Sequence, residues 1–549
     1  MAQIAALLPL IFAAVVIADS STPTKNWNNV TGTSSTTFPT DVGFLGKLMY
    51  GQSPFVAQVD KLDTNRPNGK YGIEMRWLPK DGKKDDATPD DIFRNLGQVS
   101  PYHIADDLFP ETNKYRSVPD NCEIKQVHLL SRHGARYPTG SKEGGQYKFG
   151  QKVAKARQSG DFKAEGDLSF LNSWNYSLGS EVLVHTGAQE LFDSGVKAYL
   201  DYAKLLDGYE HKPVIRTTSQ SRMLDSARYW TLGFFGWDAP EKMHLEVLTE
   251  DSSQNNTLAP VCNEVYYDDS VNDWIDTYSP PIAKRLNSML TGFKISDEDI
   301  YNVMTLCGYE TVSQGYSDFC NIFTKEEWEQ HEYTIDLQFQ TGSMFLNPIA
   351  KAKGVGWVTE FLDRVTNSKF DGPQSLQNST LDSNPTYFPL KQPLYADFSH
   401  DTVISNILTA FNFTQFADDL DFTKINKNRR YRTSRVTPFG ALIAFEILEC
   451  DNDQYLRVKV NEAVVPMNQD QGCEKRDDGL CKLDSFVKHQ KEHAFKDSHF
   501  ETACMGKNGT DYIVTGPVKT GTLSKSQIKA VKSKRSNAIP GLKTMRRGA

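Results

Sequence analysis

A chain of 549 residues has room for one large, insert-bearing domain or two to three smaller ones. Apolar content of 39% is ordinary for a soluble globular protein, and a net charge of −8 argues against a general nucleic-acid binder, whose partner demands a basic surface. Eight cysteines, at 122, 262, 307, 320, 450, 473, 481 and 504, form an even set suited to disulfides in an oxidising compartment.

The chain opens on an uncharged stretch, Met1 to Ala18, with the apolar run Ile4 to Ile17 and a small residue at Ala18 before Asp19. The run is too short for a membrane span and Pro9 interrupts it, so residues 1–18 are predicted to be a secretory signal. Ser/Thr-rich residues follow to about 43, then Phe44 to Leu62, apolar enough to dock on a body, then the charged loop Lys80 to Asp91. Together, 19–100 form an expected N-terminal arm and extension. Six Asn-x-Ser/Thr sequons, at Asn29, Asn175, Asn255, Asn378, Asn412 and Asn508, agree with a secreted glycoprotein.

The next stretch organises the rest. The run Ile124 to Leu130 predicts a buried strand, followed at once by Ser131-Arg132-His133-Gly134-Ala135-Arg136-Tyr137-Pro138. Gly134 permits a tight turn, and Pro138 suits the first position of a following helix. Two guanidinium groups and an imidazole are thereby gathered at the carboxyl end of a strand, where open α/β sheets bind ligands. A guanidinium stays cationic and its planar fork matches phosphate oxygens.

Arg132-His133-Gly134-x-Arg136-x-Pro138 resembles the signature of the histidine acid phosphatases. The wider stretch from Cys122 to His133 is most similar to the secreted fungal acid phosphatase and phytase branch. The resemblance is weak before about Ser100 and runs to about Cys504. It implies an α/β fold with a mixed central sheet flanked by helices, plus a smaller, mainly helical insert.

Further on, Val184 to Leu191 resembles the opening of a family helix near the site, although an ordinary capped amphipathic helix is the better account of every residue in it. Val214 to Arg222 repeats the strand-then-polar-loop pattern. The resemblance assigns a third phosphate-binding arginine to Arg222; spacing alone leaves Arg216 as a rival. Cys307 and Cys320 flank a Gly-containing turn and are expected to pair, as are Cys473 and Cys481. The resemblance suggests Cys122 with Cys450 and Cys262 with Cys504. Leu394 to Ser399 predicts a third strand, followed by His400-Asp401 and a helix over Thr402 to Phe411. This matches the family's second signature and places a proton donor, Asp401, and a phosphate ligand, His400, opposite the first motif.

His489-Gln-Lys-Glu492-His493 fits an inverted zinc-peptidase pattern, but Lys488, Lys491 and Lys496 around it suit a solvated helix. Residues 515–549 carry nine Lys/Arg and no acid, and are expected to be a basic disordered tail.

The combined expectation is a histidine phosphatase domain over 101–514, with strands near 124–130, 212–217 and 394–399 and helical inserts near 141–205 and 240–385. As the resemblance implies, His133 attacks phosphorus, Arg132, Arg136, Arg222 and His400 hold the phosphate oxygens, and Asp401 protonates the leaving alcohol. For that Asp401 must be protonated, through acid pH or a raised pKa. No metal or cofactor is implied. The expected partners are small phosphate monoesters, with no nucleic acid and no stable membrane insertion; a homo-oligomer is left open. Ala135, Lys142 and Lys148 suggest room for highly anionic phytate, whereas the blocks near 122–130 and 307–325 look like broad-specificity acid phosphatases. A dedicated 3-phytase is the alternative. A phosphoglycerate-mutase-like transferase and a non-catalytic cell-surface binding protein on the same fold are more remote.

Overall fold

A computed structural model of the chain describes residues 92–140, 144–263, 270–506 and 518–524. The expected signal at 1–18, the arm up to residue 91, Lys142, the sequons at Asn29 and Asn508, and 525–549 lie outside the described residues.

Strand Cys122–Arg132 is central. It pairs in parallel with Leu394–Ser399, with Arg132 beside Ser399, and antiparallel with Leu442–Cys450. Leu394–Ser399 pairs in parallel with Val214–Thr218, which pairs in parallel with His244–Leu248. On the other side Leu442–Cys450 pairs antiparallel with Asp453–Val460, which carries the short strands Ala463–Val464 and Cys481–Lys482. The sheet is therefore mixed, parallel on one side and antiparallel on the other.

The parallel half reads as continuous burial: every residue of Val214–Thr218 and of Leu394–Ser399 is buried. Strands covered on both faces require this. Helices His185–Tyr202 and Ser221–Phe235 cover one face through Leu191, Ala198, Trp230 and Phe234. Helices Ala350–Thr366, Asp401–Ala410 and Leu483–Ser498 cover the other through Trp357, Phe361, Ile404, Ile407 and Phe486.

A separate apolar cluster joins helices Gly145–Gln158, Ser270–Asn287, Asp297–Gln314 and one side of Lys325–Ser343. Ile92, Phe93, Leu96 and Val99 pack into it, so the last residues of the expected extension belong to the body. Helices 185–202 and 350–366, within the ranges 141–205 and 240–385 expected to supply helical inserts, carry apolar faces that pack in the sheet-side clusters. Residues 518–524 also depart from expectation. Within the predicted disordered tail, Leu523 is buried in the main core, and the Lys351 and Gly521 amides exchange bonds with Gly521 and Phe345 carbonyls.

All four expected disulfides are present: Cys122–Cys450, Cys262–Cys504, Cys307–Cys320 and Cys473–Cys481. Cys122 and Cys450 are cross-strand partners in the sheet register, which is why residues 328 positions apart can bridge. Gly315, at φ +94°, ends helix 297–314 in the left-handed conformation and turns the chain back toward Cys320. No helix among the described residues is long and apolar enough to cross a membrane.

Candidate active site

Four parallel strands in register end on one edge of the sheet, and the residues just past those ends share a neighbourhood. Strand 122–132 delivers Arg132 and His133, strand 394–399 delivers His400 and Asp401, and strand 214–218 leads to Arg222 at the start of its helix. Strand 244–248, level with it, delivers Glu250.

His133 is 1% exposed. Its Nδ1 lies 2.8 Å from the Gly134 carbonyl oxygen, an acceptor, so Nδ1 carries the proton and Nε2 presents its lone pair. The His133 and His400 ring centroids are 5.8 Å apart. Burial, then the charges of Arg132, Arg136, Arg222 and His400, push the His133 pKa well below its usual range. Both effects favour the neutral imidazole.

Three guanidinium groups surround it. Arg132 is wholly buried, stacks 4.7 Å from the Phe439 ring centroid and donates from Nη1 to the Gln98 and Thr437 carbonyls. Arg136 donates from Nη1 to the Tyr137 carbonyl, and Arg222 from Nη1 to Glu181. The Nε of each of the three is buried with no hydrogen-bond partner among the described residues. Such donors cost on the order of 1–3 kcal/mol each unless an acceptor is supplied, and more when charged. Burial pushes the Arg132 pKa down to about 10, with Asp401 acting in the opposite sense.

The cations meet carboxylates. Asp401 Oδ2 lies 2.5 Å from Arg132 Nη2, Glu181 Oε2 lies 2.8 Å from Arg222 Nη1, and Glu250 Oε1 lies 3.0 Å from His400 Nε2. Burial alone would raise the pKa of Asp401, but Arg132, Arg136, His400 and the Thr402 N–H hold it below the usual carboxylate range. A raised pKa, one of the two routes expected from sequence, is thus not what this ligand-free arrangement supplies. Asp401 opens its helix beside an arginine, and both features favour the anion. Glu250 is likewise lowered: burial opposes the shift, and the His400 contact outweighs it.

The loop is held by backbone contacts as well. The Gly134 amide donates to Ser226 Oγ, and the Ala135 amide to Glu190 Oε2, whose Oε1 accepts from the Tyr102 amide. Helix 185–202 approaches so closely that a Cβ on Gly134 would stand 2.3 Å from the Gly187 carbonyl oxygen. Gly134 is needed for that approach rather than for a positive φ. Pro138 opens no helix; the next one begins at Gly145, and the Pro138 carbonyl accepts from the Glu181 amide instead.

A family model for the histidine phosphatase superfamily (branch 2) matches residues 123–461, more than half of the chain. The chain belongs to this superfamily. Phytase A of Aspergillus oryzae is 34% identical over 417 residues, spanning 71% of this chain and 86% of that protein. Phytase A of Neurospora crassa is 31% identical over 462 residues, spanning 71% and 88%. The crystal structure of the phytase from D. castellii shares the fold, with a TM-score of 0.63 and 24% identity over 78% of this chain and 93% of that one. This histidine phosphatase is a phosphoric monoester hydrolase.

Within that frame the sequence left two rivals and missed three residues. Arg216 lies inside the sheet layer, held by both Asp397 oxygens at 2.8 and 2.7 Å and by Glu360 at 2.6 Å, so its charge is spent on structure. His489 and His493 stack at 4.5 Å on a surface helix, with His493 Nδ1 3.3 Å from Asp497. Among the described residues no three His, Cys, Asp or Glu side chains are grouped as a metal site requires. Glu181 and Glu250 carry no motif in the local sequence, and Glu190 lies in the Val184–Leu191 stretch without a role of its own there; the fold brings all three to the loop residues. Ala135 also changes meaning. It is wholly buried and packs into the helical cluster, so its identity reports on that packing rather than on charge beside a phosphate.

Proposed function

We propose that this chain is a secreted acid phosphomonoesterase that hydrolyses phosphate monoesters, phytate among them, through a phosphohistidine on His133. One observation carries the site assignment: three buried arginine Nε donors without partners flank a neutral imidazole whose Nε2 is free to attack. A phosphate dianion supplies acceptors for those donors and a charge for those cations.

In the first step His133 Nε2 attacks phosphorus as the ester P–O bond breaks. Arg132, Arg136, Arg222 and His400 bear the charge on the three remaining oxygens, and Asp401 gives its proton to the departing alcohol. Water then attacks phosphorus, the P–N bond breaks, Asp401 takes a proton from that water, and phosphate leaves. The Asp401–Arg132 contact has a consequence for this cycle. A phosphate bound on Arg132 offsets the charge that holds Asp401 ionised, so substrate itself promotes protonation of the acid. Because burial and the neighbouring cations favour the neutral form of His133, acid that protonates the donor disables this nucleophile less than it would an exposed imidazole.

The names of the relatives support phytate as a substrate, and the four disulfides support an oxidising, extracellular setting. The same relatives favour the alternative of a dedicated 3-phytase. Turnover on phytate measured against 4-nitrophenyl phosphate separates the two: comparable rates support broad specificity, and activity confined to phytate supports the narrow enzyme. For the mechanism, His133→Ala should abolish turnover in a folded protein, and rapid quenching of the wild type should trap an acid-labile, alkali-stable phosphoenzyme. Residual activity in that variant rejects the nucleophile.

A further inference from the structure

Glu181 stands out on three counts. It is a non-glycine residue at φ +68°, a left-handed conformation that costs an ordinary side chain free energy and is retained where surrounding structure demands it. Its carboxylate spans two elements: Oε2 accepts from Arg222 Nη1 at 2.8 Å and Oε1 accepts from the Gly140 amide at 2.8 Å. Its own amide donates to the Pro138 carbonyl.

The neighbouring residues continue this contact. Arg136 bridges to Leu183, the Tyr137 amide donates to the Val182 carbonyl, and the Val184 amide donates to the Ala135 carbonyl. Residues 181–184 thus run antiparallel along 135–138, the loop that carries Arg136. Glu181 is where this ribbon meets Arg222, an arginine that comes from a different helix.

Arg222 is almost wholly buried, and Glu181 grips only one of its terminal nitrogens. Its Nε has no partner among the described residues. A buried guanidinium anchored through Nη1 has fewer orientations open to it, which limits where its Nε edge can point. We propose that Glu181 is a positioning residue: it fixes Arg222 to the Arg136 loop, so that the two arginines present their free edges to one phosphate group. This inference rests on the proposed phosphatase reading and deepens it. The left-handed backbone at 181 brings the carboxylate back across the loop to do so.

A rival role makes the opposite prediction. If Glu181 merely neutralised Arg222, removing its charge would free that arginine and tighten phosphate binding. If it positions Arg222, removal lets the guanidinium drift and weakens binding by about tenfold, the size of one lost hydrogen bond to a charged group.

The test uses the full-length enzyme with Glu181→Gln and Glu181→Asn, the second chosen because asparagine tolerates the left-handed conformation. Inorganic phosphate inhibition and the KM and kcat for 4-nitrophenyl phosphate are measured for each, with Arg222→Ala and the double variants alongside. The expected result is an inhibition constant for phosphate raised about tenfold in both single variants, and no further rise when Glu181 is changed in the Arg222→Ala background. Tighter or unchanged phosphate inhibition overturns the proposal. So does an equal loss in the Arg222→Ala background, which would mark Glu181 as a general loop clamp. These failures differ from failure of the phosphatase reading, in which the wild type itself neither turns over substrate nor binds phosphate.

Discussion

Asp401 Oδ2 sits 2.5 Å from Arg132 Nη2, so in the free enzyme the proposed proton donor is the counter-ion of a proposed phosphate ligand. Under the proposed mechanism, substrate and acid compete for one guanidinium. This links binding to protonation without any further group.

Asp401→Asn should accordingly have two effects of opposite sign. Loss of the proton donor should slow esters with poor leaving groups by about 10²–10⁴-fold, and activated aryl esters much less. Loss of the carboxylate should free Arg132 and tighten inhibition by inorganic phosphate. Steady-state kinetics on an alkyl and a nitrophenyl phosphate, with phosphate as inhibitor, checks both. Equal losses on the two esters would reject the acid role.

The fold should lose stability as pH rises from neutral into mild alkali. Burial pushes Glu246 up to about 7 and Asp382 up to about 8 beside the Arg216–Asp397–Glu360 cluster, and pushes Glu310 up to about 7 in the helical cluster. For a carboxyl raised in the folded state, stability is fully present below its unfolded pKa, near 4, and is lost as pH climbs through the folded value. The Tm should therefore fall between about pH 6.5 and pH 8, whereas below about pH 6.5 the buried His128, His133 and His331, whose pKa values burial lowers, oppose the trend. Asp382→Asn should flatten that fall and stabilise at pH 8 by about 2 kcal/mol. Glu446, lowered to about 2 despite burial by Lys459 and Arg457, works in the other direction, and its contribution fades only in strong acid. Calorimetry across pH 3–9 reads both limbs.

Gly187→Ala should disable the enzyme through its loop. The added Cβ would lie 2.1 Å from the Ala135 carbonyl oxygen, a backbone atom that can yield only if helix 185–202 and the phosphate loop part. The cost should be at least about 1–3 kcal/mol of stability. The kcat should drop at temperatures where circular dichroism still reports a folded protein, because Ala135 lies between His133 and Arg136. Wild-type kcat in a folded variant would mean the loop tolerates the displacement.

How much of this was legible beforehand follows from where each signal resides. Strand 394–399 is predicted to the residue, and strands 122–132 and 214–218 to within a few, because short segments rich in apolar and β-branched residues end at polar, chemistry-bearing residues. The Arg132-His133-Gly134 and His400-Asp401 motifs are local, so side chains one and two positions past a strand end are readable in one dimension. The short disulfide loops, Cys307–Cys320 and Cys473–Cys481, are local for the same reason.

What the tertiary structure alone decided is long-range and electrostatic. Arg216 and Arg222 look alike in sequence; one is held by Asp397, 181 positions away, and the other is bonded to Glu181, 41 positions back. The ionisation of Asp401 depends on which charge lies within a few ångströms, and no pattern along the chain encodes that distance. Residue order fixes which groups are available and which strand carries them. Only folding sets their separations and removes water from between them, and Coulomb interactions depend on both.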